Sequence, residues 1–513
     1  MKLWKMNILL AALVLVFFFA GCGSQTAPAP ETQAPTAETT LPPAEETEPP
    51  TTVNPLDLVE DLEIVVTLDD IQQLDDYPNL KTLNLSGSTC YDAISAYMTT
   101  HPEVEVTYTV SLGDTTLTNH DTDVTLEPGT FDYTLLLENL QHLPGLTRLY
   151  FPHISFSAQE LAVLQETYPD LVIDYTVDML GDEYTTDVTE LDLSFLTPEE
   201  AIEVAPALSL MPNLEYVELV PEWTKSKLGM EDVKVLVDAA PNTNFHYTFT
   251  LFGKQIATTD ESVEYKNQNI GNDGEDEIRA ALDIMTGCTY FKLENCKIDN
   301  EILASIRDDY RDKGIKVVWR IWFGKYTAMT DAEKIRAVYN VFDDTCHDLR
   351  YCEDVKYIDM GHNDTLTDLS FIGHMPNLEI LIASGCAVKD LSGFENCKKL
   401  EFLELANCSY LSDLTPLEGC ESLKYLNVSY TKVSNLMPLD GLPLERFVAV
   451  RSQVPPAEQE TFMSIHPDCW TRFLGTQPYG IGWRYDDNGM TYSEIYLKIR
   501  EIFGYDDMPL EYD

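Results

Sequence analysis

Between Val355 and about Val454 the chain repeats itself, and little else constrains its fold so tightly. The units run "VKYIDMGHNDTLTDLSFIGHMPN", "LEILIASGCAVKDLSGFENCKK", "LEFLELANCSYLSDLTPLEGCES", "LKYLNVSYTKVSNLMPLDGLP" and the opening of a fifth, "LERFVAV". Their starts at 355, 378, 400, 423 and 444 lie 21 to 23 residues apart. A unit this short cannot bury its apolar face alone, so such arrays stack into a solenoid with a shared core.

A longer period precedes it. Related strand signatures begin at 80 ("LKTLNLSGS"), 146 ("LTRLYFPHI"), 214 ("LEYVELVPE") and 288 ("CTYFKLENCKI"). Each precedes an amphipathic stretch such as "SAQELAVLQETY", 157–168, whose Leu161, Leu164 and Tyr168 fit one helical face. Then comes an alternating run: "HPEVEVTYTVSLG" at 101–113, "YPDLVIDYTVDMLG" at 168–181, "APNTNFHYTFTLFG" at 240–253 and "KGIKVVWRIWFG" at 313–324. Apolar residues at every second position predict a strand, and Gly113, Gly181, Gly253 and Gly324 predict a turn after it. A Thr/Asp-rich return segment follows, so each unit of about 70 residues is expected to hold two strands, a helix and a return, or roughly two coils. "YTVSLG" is one residue shorter than "YTVDMLG", which calls for a bulge or a shifted turn.

The short units resemble the bacterial leucine-rich repeat in its internalin-like form, L-x-x-L-x-L-x-x-N/C-x-L followed by D-L-x-P-L. Leu400, Leu403, Leu405, Cys408 and Leu411 match it with one inserted residue, and "SDLTPLEGC" supplies the second half. The resemblance implies an α/β repeat solenoid, a horseshoe with parallel strands on one face, here with enlarged units at 55–354, short repeats at 355–454 and a C-terminal helical cap at 455–513. It further implies that Asn363, Cys386, Cys408, Thr431 and Ser452 hydrogen-bond neighbouring turns, while Cys397 and Cys420 enter the core from the return segments. Outward strand positions would carry recognition. These are Tyr216, Tyr290, Tyr357, Ile380, Phe402, Tyr425 and Arg446 in one row, with Asp359, Glu404 and Asn427 in the next. Strands about 4.8 Å apart would align them as an aromatic and aliphatic stripe beside an acidic one. The alternatives are that neighbouring rings merely shield the sheet, or that the C-terminal segment folds over them.

The start of the chain is of another kind. Lys2 and Lys5 precede an apolar run, Ile8 to Ala20, too short for a comfortable membrane span, which reads as an export signal. It closes on "FAGC", which resembles a lipobox with Phe19 where Leu is usual and implies that 1–22 is a lipoprotein signal segment in which Cys22 is lipidated and becomes the new N-terminus. A plain signal peptide is the alternative. Residues 23–54 are rich in Pro, Thr, Ala and Glu with a single large aliphatic residue, Leu41, and are expected to form a disordered tether. The expected location is the extracytoplasmic face of a bacterial membrane. A net charge of −53 speaks against nucleic acid or an anionic surface as partner.

Chemistry finds little purchase in the sequence. The nine His residues form no H-E-x-x-H, no G-x-S-x-G elbow occurs and no glycine-rich phosphate loop follows a strand, so neither a catalytic role, a cofactor nor a metal is expected. "NIGNDGEDE", 269–277, lacks the spacing of a calcium loop and reads as a solvated acidic turn. "CHDLRYC", 346–352, fits either a surface disulfide or two reduced, partly buried thiols. "MTYSEIYLKIREIFGYDD", 490–507, resembles "MTDAEKIRAVYNVFDD", 329–344; both are expected to be helical, the former with Ile495, Ile499 and Ile502 on one face and as the cap of the last repeat. The expected function is non-catalytic recognition of a protein, peptide or glycan. The alternatives are an enzyme or enzyme accessory acting on surface polymers, and a structural envelope spacer.

Overall fold

A computed structural model describes residues 54–505. The export signal, Cys22 and almost all of the tether lie outside the described residues. Among the described residues no helix is long and apolar enough to cross a membrane.

In the short repeats each coil contributes a three-residue strand whose middle side chain enters the core. Ile358, Leu381, Leu403, Leu426 and Phe447 are all fully buried there. Seven such strands pair in parallel, from Lys334–Arg336 through Tyr357–Asp359, Ile380–Ile382, Phe402–Glu404, Tyr425–Asn427 and Arg446–Val448 to Trp470–Arg472. The register never slips: Tyr357, Ile380, Phe402, Tyr425, Arg446 and Trp470 are successive partners. Return segments are single 3-10 turns, such as Phe394–Asn396 and Thr415–Gly419, that insert Phe394 and Leu417 into the core.

Asn363, Cys386 and Cys408 at the N/C positions close a coil against the one before, while Thr431 and Ser452, expected to do the same, bond within their own turns. Asn363 donates to the carbonyls of Ala337 (2.9 Å) and Met360 (2.7 Å) and accepts from the Val341 N–H (2.8 Å). Cys386 and Cys408 donate to Met360 and Ala383, each at 3.3 Å, and Thr431 and Ser452 to Val428 and Ala449, each at 2.7 Å. Cys397 and Cys420 bond carbonyls of the preceding return segment. No cysteine among the described residues is in a disulfide. Cys346 and Cys352 are separately buried, and burial pushes both thiols up to about 12.

The enlarged units hold three coils each, one more than expected. In the fourth, strands Ser262–Lys266, Tyr290–Glu294 and Lys316–Phe323 pair in parallel with helices Glu275–Ile284 and Asn300–Tyr310 between them. The Thr/Asp-rich return segment is what supplies the additional strand, its few apolar residues being enough for a three- to five-residue element. The helix expected at 157–168 spans Ala158–Thr167, starts on a Ser157–Glu160 capping box and buries Leu161 and Leu164.

The alternating run is the last strand of each unit, which continues into a hairpin. Tyr108, Tyr175, Tyr247 and Trp319 recur at its centre. Their polar tips reach the carbonyls of His142, Leu210 and Leu228 and, for Trp319, the Asn300 side chain. Eleven residues on, Asn119, Thr258 and Thr330 return a side-chain acceptor to the backbone N–H of Tyr108, Tyr247 and Trp319. At 179–182 and 251–254 the turn is two residues long, with consecutive positive φ at Leu180 and Gly181 (53° and 90°) and at Phe252 and Gly253 (47° and 81°). The shorter first copy has a shifted turn. Its strands pair Ser111 with Thr116, leaving four residues between them, and a Cβ on Gly113 would lie 2.9 Å from the Asp132 nitrogen.

Two expectations fail near the end. Residues 329–344 contain the strand Lys334–Arg336 and only a short helix from Asp343, because the chain there starts a new coil of the sheet. The last repeat is closed by helix Pro456–Ile465, whose Phe462 ring lies 4.8 Å from Phe447, and by the strand Trp470–Arg472. The C-terminal helix, Glu494–Phe503, lies elsewhere.

Candidate functional site

The outward strand positions of the short repeats are apolar at Ile380, Ile382, Phe402 and Val448, a contiguous patch that would be costly to leave wet. The chain covers it itself. Residues 476–505 form a strap across the strand face, and Trp483, Tyr496, Ile499 and Phe503 join the patch in a second hydrophobic core separate from that of the solenoid. The helix faces the sheet through Tyr496, Ile499, Arg500 and Phe503, a stripe at helical spacing turned from the expected one: Ile499 is buried but Ile495 and Ile502 are only partly so.

Polar contacts fix the strap in place. The Trp483 indole N–H donates to Glu404 and the Tyr505 hydroxyl to Asp359. Asn427 donates to the Pro478 carbonyl at 2.9 Å, Arg446 to Asp487 at 2.7 Å and Lys334 to the Ile502 carbonyl at 2.6 Å. Gly482 packs flat on the last strand, where a Cβ would fall 1.9 Å from the Trp470 ring. Burial and the Asp359 carboxylate raise the Tyr505 hydroxyl, which keeps it a donor.

The expected row of exposed recognition residues is therefore mostly not exposed. Ile380, Phe402, Asp359, Glu404 and Asn427 are buried beneath the strap, and Tyr357, Tyr425 and Arg446 are half-buried at its margin. Tyr216 and Tyr290, on the enlarged units, are half-buried with their hydroxyls donating to Glu218 (3.0 Å) and Asp331 (2.9 Å). The physical reason is the patch: apolar groups aligned on neighbouring strands gain most from another apolar surface, and the strap provides one within the same chain.

At one end the strap leaves a cavity of about 510 Å³ against the strand face. Arg336, Tyr339, His362 and Ser384 line it from the solenoid, and Arg484, Tyr496 and Arg500 from the strap. The Tyr339 and His362 rings stack 5.3 Å apart at its rim. Both residues are in the left-handed conformation, as are Gly385, Asn407, Tyr430 and Arg451 after them, one per coil and each immediately before an N/C position. Arg336 sits 4.9 Å over the Tyr505 ring, and Arg484 lies 4.5 Å from Tyr479. Both carboxylates of the cavity are already engaged: Asp359 accepts from Tyr505 and from the Gly361 N–H (3.2 Å), Glu404 from Trp483 and from Ser384 (2.6 Å). Sequence reasoning found the 490–507 helix but assigned it to the cap, and did not single out Trp483, Tyr496, Phe503 or Tyr505. The signal available was the density of aromatic residues in "PYGIGWRYDDNGMTYSEIYLKIREIFGY", which exceeds what an end cap needs.

The fourth enlarged unit carries a different feature on the same strand face. Glu294 is buried, with Lys266 (3.2 Å), Lys292 (3.1 Å) and Arg320 (2.9 Å) around it. Burial alone would raise its carboxyl, but hydrogen bonds from Lys292, Arg320 and Lys266 outweigh that and hold it at about 2, against an ordinary value of 4.5. A carboxyl depressed on folding contributes fully above its unfolded value and loses that contribution as pH falls through the folded one. The stability gap between the wild type and Glu294→Gln is thus expected to be steady near neutral pH and to narrow as pH falls from 4.5 to about 2. Urea denaturation over a pH series measures it, and a gap of constant size would contradict the pairing.

Residues 376–419 match the family model described as leucine-rich repeats in two copies. No curated protein matches the chain in sequence. Among solved structures it is similar to an internalin of Listeria monocytogenes, at 15% identity, covering 71% of this chain and 85% of that one with a TM-score of 0.27. It is also similar to a leucine-rich-repeat protein of Leptospira interrogans, at 13% identity, covering 82% and 97% of the two chains with a TM-score of 0.27.

Proposed function

We propose that this protein is a non-catalytic recognition module held at the extracytoplasmic face of a bacterial membrane by a lipid on Cys22, with residues 23–54 as the spacer. Its body is a leucine-rich-repeat solenoid, a scaffold that generally serves recognition of other molecules through an extended face. The observation that carries the reading is the cavity where that face is left uncovered by the strap. It is lined by rigid aromatic rings and by arginines, the residue types that dominate binding hot spots. The engagement of Asp359 and Glu404 as hydrogen-bond acceptors supports binding over acid–base chemistry, which requires a carboxyl able to exchange its proton with a substrate.

The test pairs two variants expressed in the native host. Cys22→Ala is expected to move the protein out of the membrane fraction, and unchanged retention would remove the lipid anchor from the proposal. Tyr339→Ala combined with His362→Ala opens the cavity rim without touching either hydrophobic core. It is expected to abolish crosslinking to the partner that the wild type captures on intact cells. An identical crosslinking pattern would exclude the cavity as the recognition site.

A further inference from the structure

The recurring aromatic ruler of the enlarged units, Tyr108, Tyr175, Tyr247 and Trp319, allows their outward positions to be compared directly. Three residues after Tyr108, Tyr175 and Tyr247 the chain has Ser111, Asp178 and Thr250; three residues after Trp319 it has Trp322. Two residues before those, on the same face of the strand, Thr109, Thr176 and Thr248 give way to Arg320. Trp322 is 58% exposed although its neighbours Ile321 and Phe323 are buried. Nothing in the fold asks for an indole there, since the second and third units build the same two-residue hairpin with Asp178 and Thr250 at that position.

The surroundings of Trp322 also depart from the repeat. The strand Lys316–Phe323 runs on past the last residue of its neighbour with which it pairs, Leu293, so Trp322 stands beside the turn that follows Glu294. Asn295 opens that turn, and Asn267 holds the corresponding place one coil back, each directly after the paired residues Lys266 and Glu294. Both are exposed and left-handed, with φ of 55°. The Asn295 amide N–H donates to Asn267 Oδ1 at 3.0 Å, which sets the two amides in one chain. That chain leaves an N–H donor on Asn267 at one end and a carbonyl acceptor on Asn295 at the other. Trp322, Arg320, Asn267, Asn295 and Lys297 line a single depression of about 480 Å³. Arg320 is held in place by Glu294 and by Thr327 at 3.0 Å, so it meets a ligand without first being ordered.

We infer that this depression is a carbohydrate site that takes a β-linked pyranose of equatorial substitution. Such a ring has a flat C–H face that an exposed indole can cover, and a rim of vicinal hydroxyls, each both donor and acceptor. Paired amides with one open donor and one open acceptor match two adjacent hydroxyls. A peptide would need apolar side-chain pockets beside the indole, whereas the exposed groups here are amide and cationic. The site shares no residue with the cavity under the strap, and it stands whether or not that cavity binds anything.

The experiment is calorimetric titration of the full chain with chitotetraose and, separately, cellotetraose, the two arms telling an acetamido sugar from a plain glucose polymer. Binding of at least one is expected. Trp322→Ala should weaken it about tenfold or more, and Trp322→Phe, which keeps an aromatic face, by about threefold or less. Asn267→Gly and Asn295→Gly should each weaken it while shifting the thermal midpoint little, since both side chains are exposed and glycine keeps the left-handed backbone that alanine would strain. These two variants keep the test sound should Trp322→Ala fold poorly. The proposal is overturned if the wild type binds neither sugar, if Trp322→Ala binds as the wild type does, or if both asparagine variants leave affinity unchanged.

Discussion

Trp483→Ala is expected to detach the strap while leaving the solenoid folded. Trp483 is the largest side chain of the second core, almost fully buried, stacked 4.8 Å from Phe402 and bonded through its indole N–H to buried Glu404. Truncating a buried tryptophan costs about 3–5 kcal/mol through lost transfer energy and the cavity left behind. Here the loss falls on docking of residues 476–505, because the solenoid core is separate and includes neither Trp483 nor Phe402. Limited proteolysis should therefore cut the variant within the strap at a protease concentration that leaves the wild type intact, with the repeats resistant in both. Trp483→Phe should fall between the two, since it keeps the stacking but strands a Glu404 oxygen. If cleavage begins in the repeats, the strap is integral to the solenoid and the two cores are one cooperative unit.

Asn363→Ala should strike the solenoid instead. Its side chain makes three hydrogen bonds, to Ala337, Met360 and Val341, at a site that is almost wholly buried. Removing it leaves one N–H unpaired and deprives two carbonyls of a donor, at a cost of about 3 kcal/mol or more. The coil that it joins is the junction between the enlarged units and the short repeats, and solenoid stability depends on each interface between neighbours. Chemical denaturation is expected to show a lower midpoint, with an added early phase if the array separates there. Asn363→Cys should recover part of the loss, because Cys386 and Cys408 close the next two coils from the same position with a single bond each.

The repeat architecture was legible for a simple reason. The middle residue of each short strand faces the same environment, fully buried between identical neighbours, so Ile358, Leu381, Leu403 and Leu426 recur with little freedom. The aromatic ruler Tyr108, Tyr175, Tyr247 and Trp319 was visible as a pattern, although its part in closing a hairpin was not. That part depends on Asn119, Thr258 and Thr330 eleven residues away, whose small polar side chains look like any loop residue until the strands are paired. The count of coils per enlarged unit was misjudged for a related reason: a three-residue strand such as Glu190–Asp192 has too few apolar positions for alternation to register.

The recognition face was read from the wrong premise. Outward strand positions in an isolated repeat are exposed, and Ile380, Phe402 and Tyr425 taken alone form an aromatic and aliphatic stripe. Whether that stripe meets a partner or its own chain is decided by residues 79 to 146 positions later, and no local pattern links Glu404 to Trp483 or Asp359 to Tyr505.

What the sequence determined by itself is the solenoid: a fixed period of apolar residues has one way to bury them, coil upon coil, and the N/C positions close each turn. What only the tertiary structure decided is which part of the outward face remains open. That choice is made by the strap, whose aromatic helix finds in the strand face an apolar surface large enough to offset the entropy of ordering some thirty residues. The open surface is thereby reduced to the cavity at the strap's end and to the enlarged units, where Trp322 stands beside Asn267 and Asn295 because two neighbouring strands end in register.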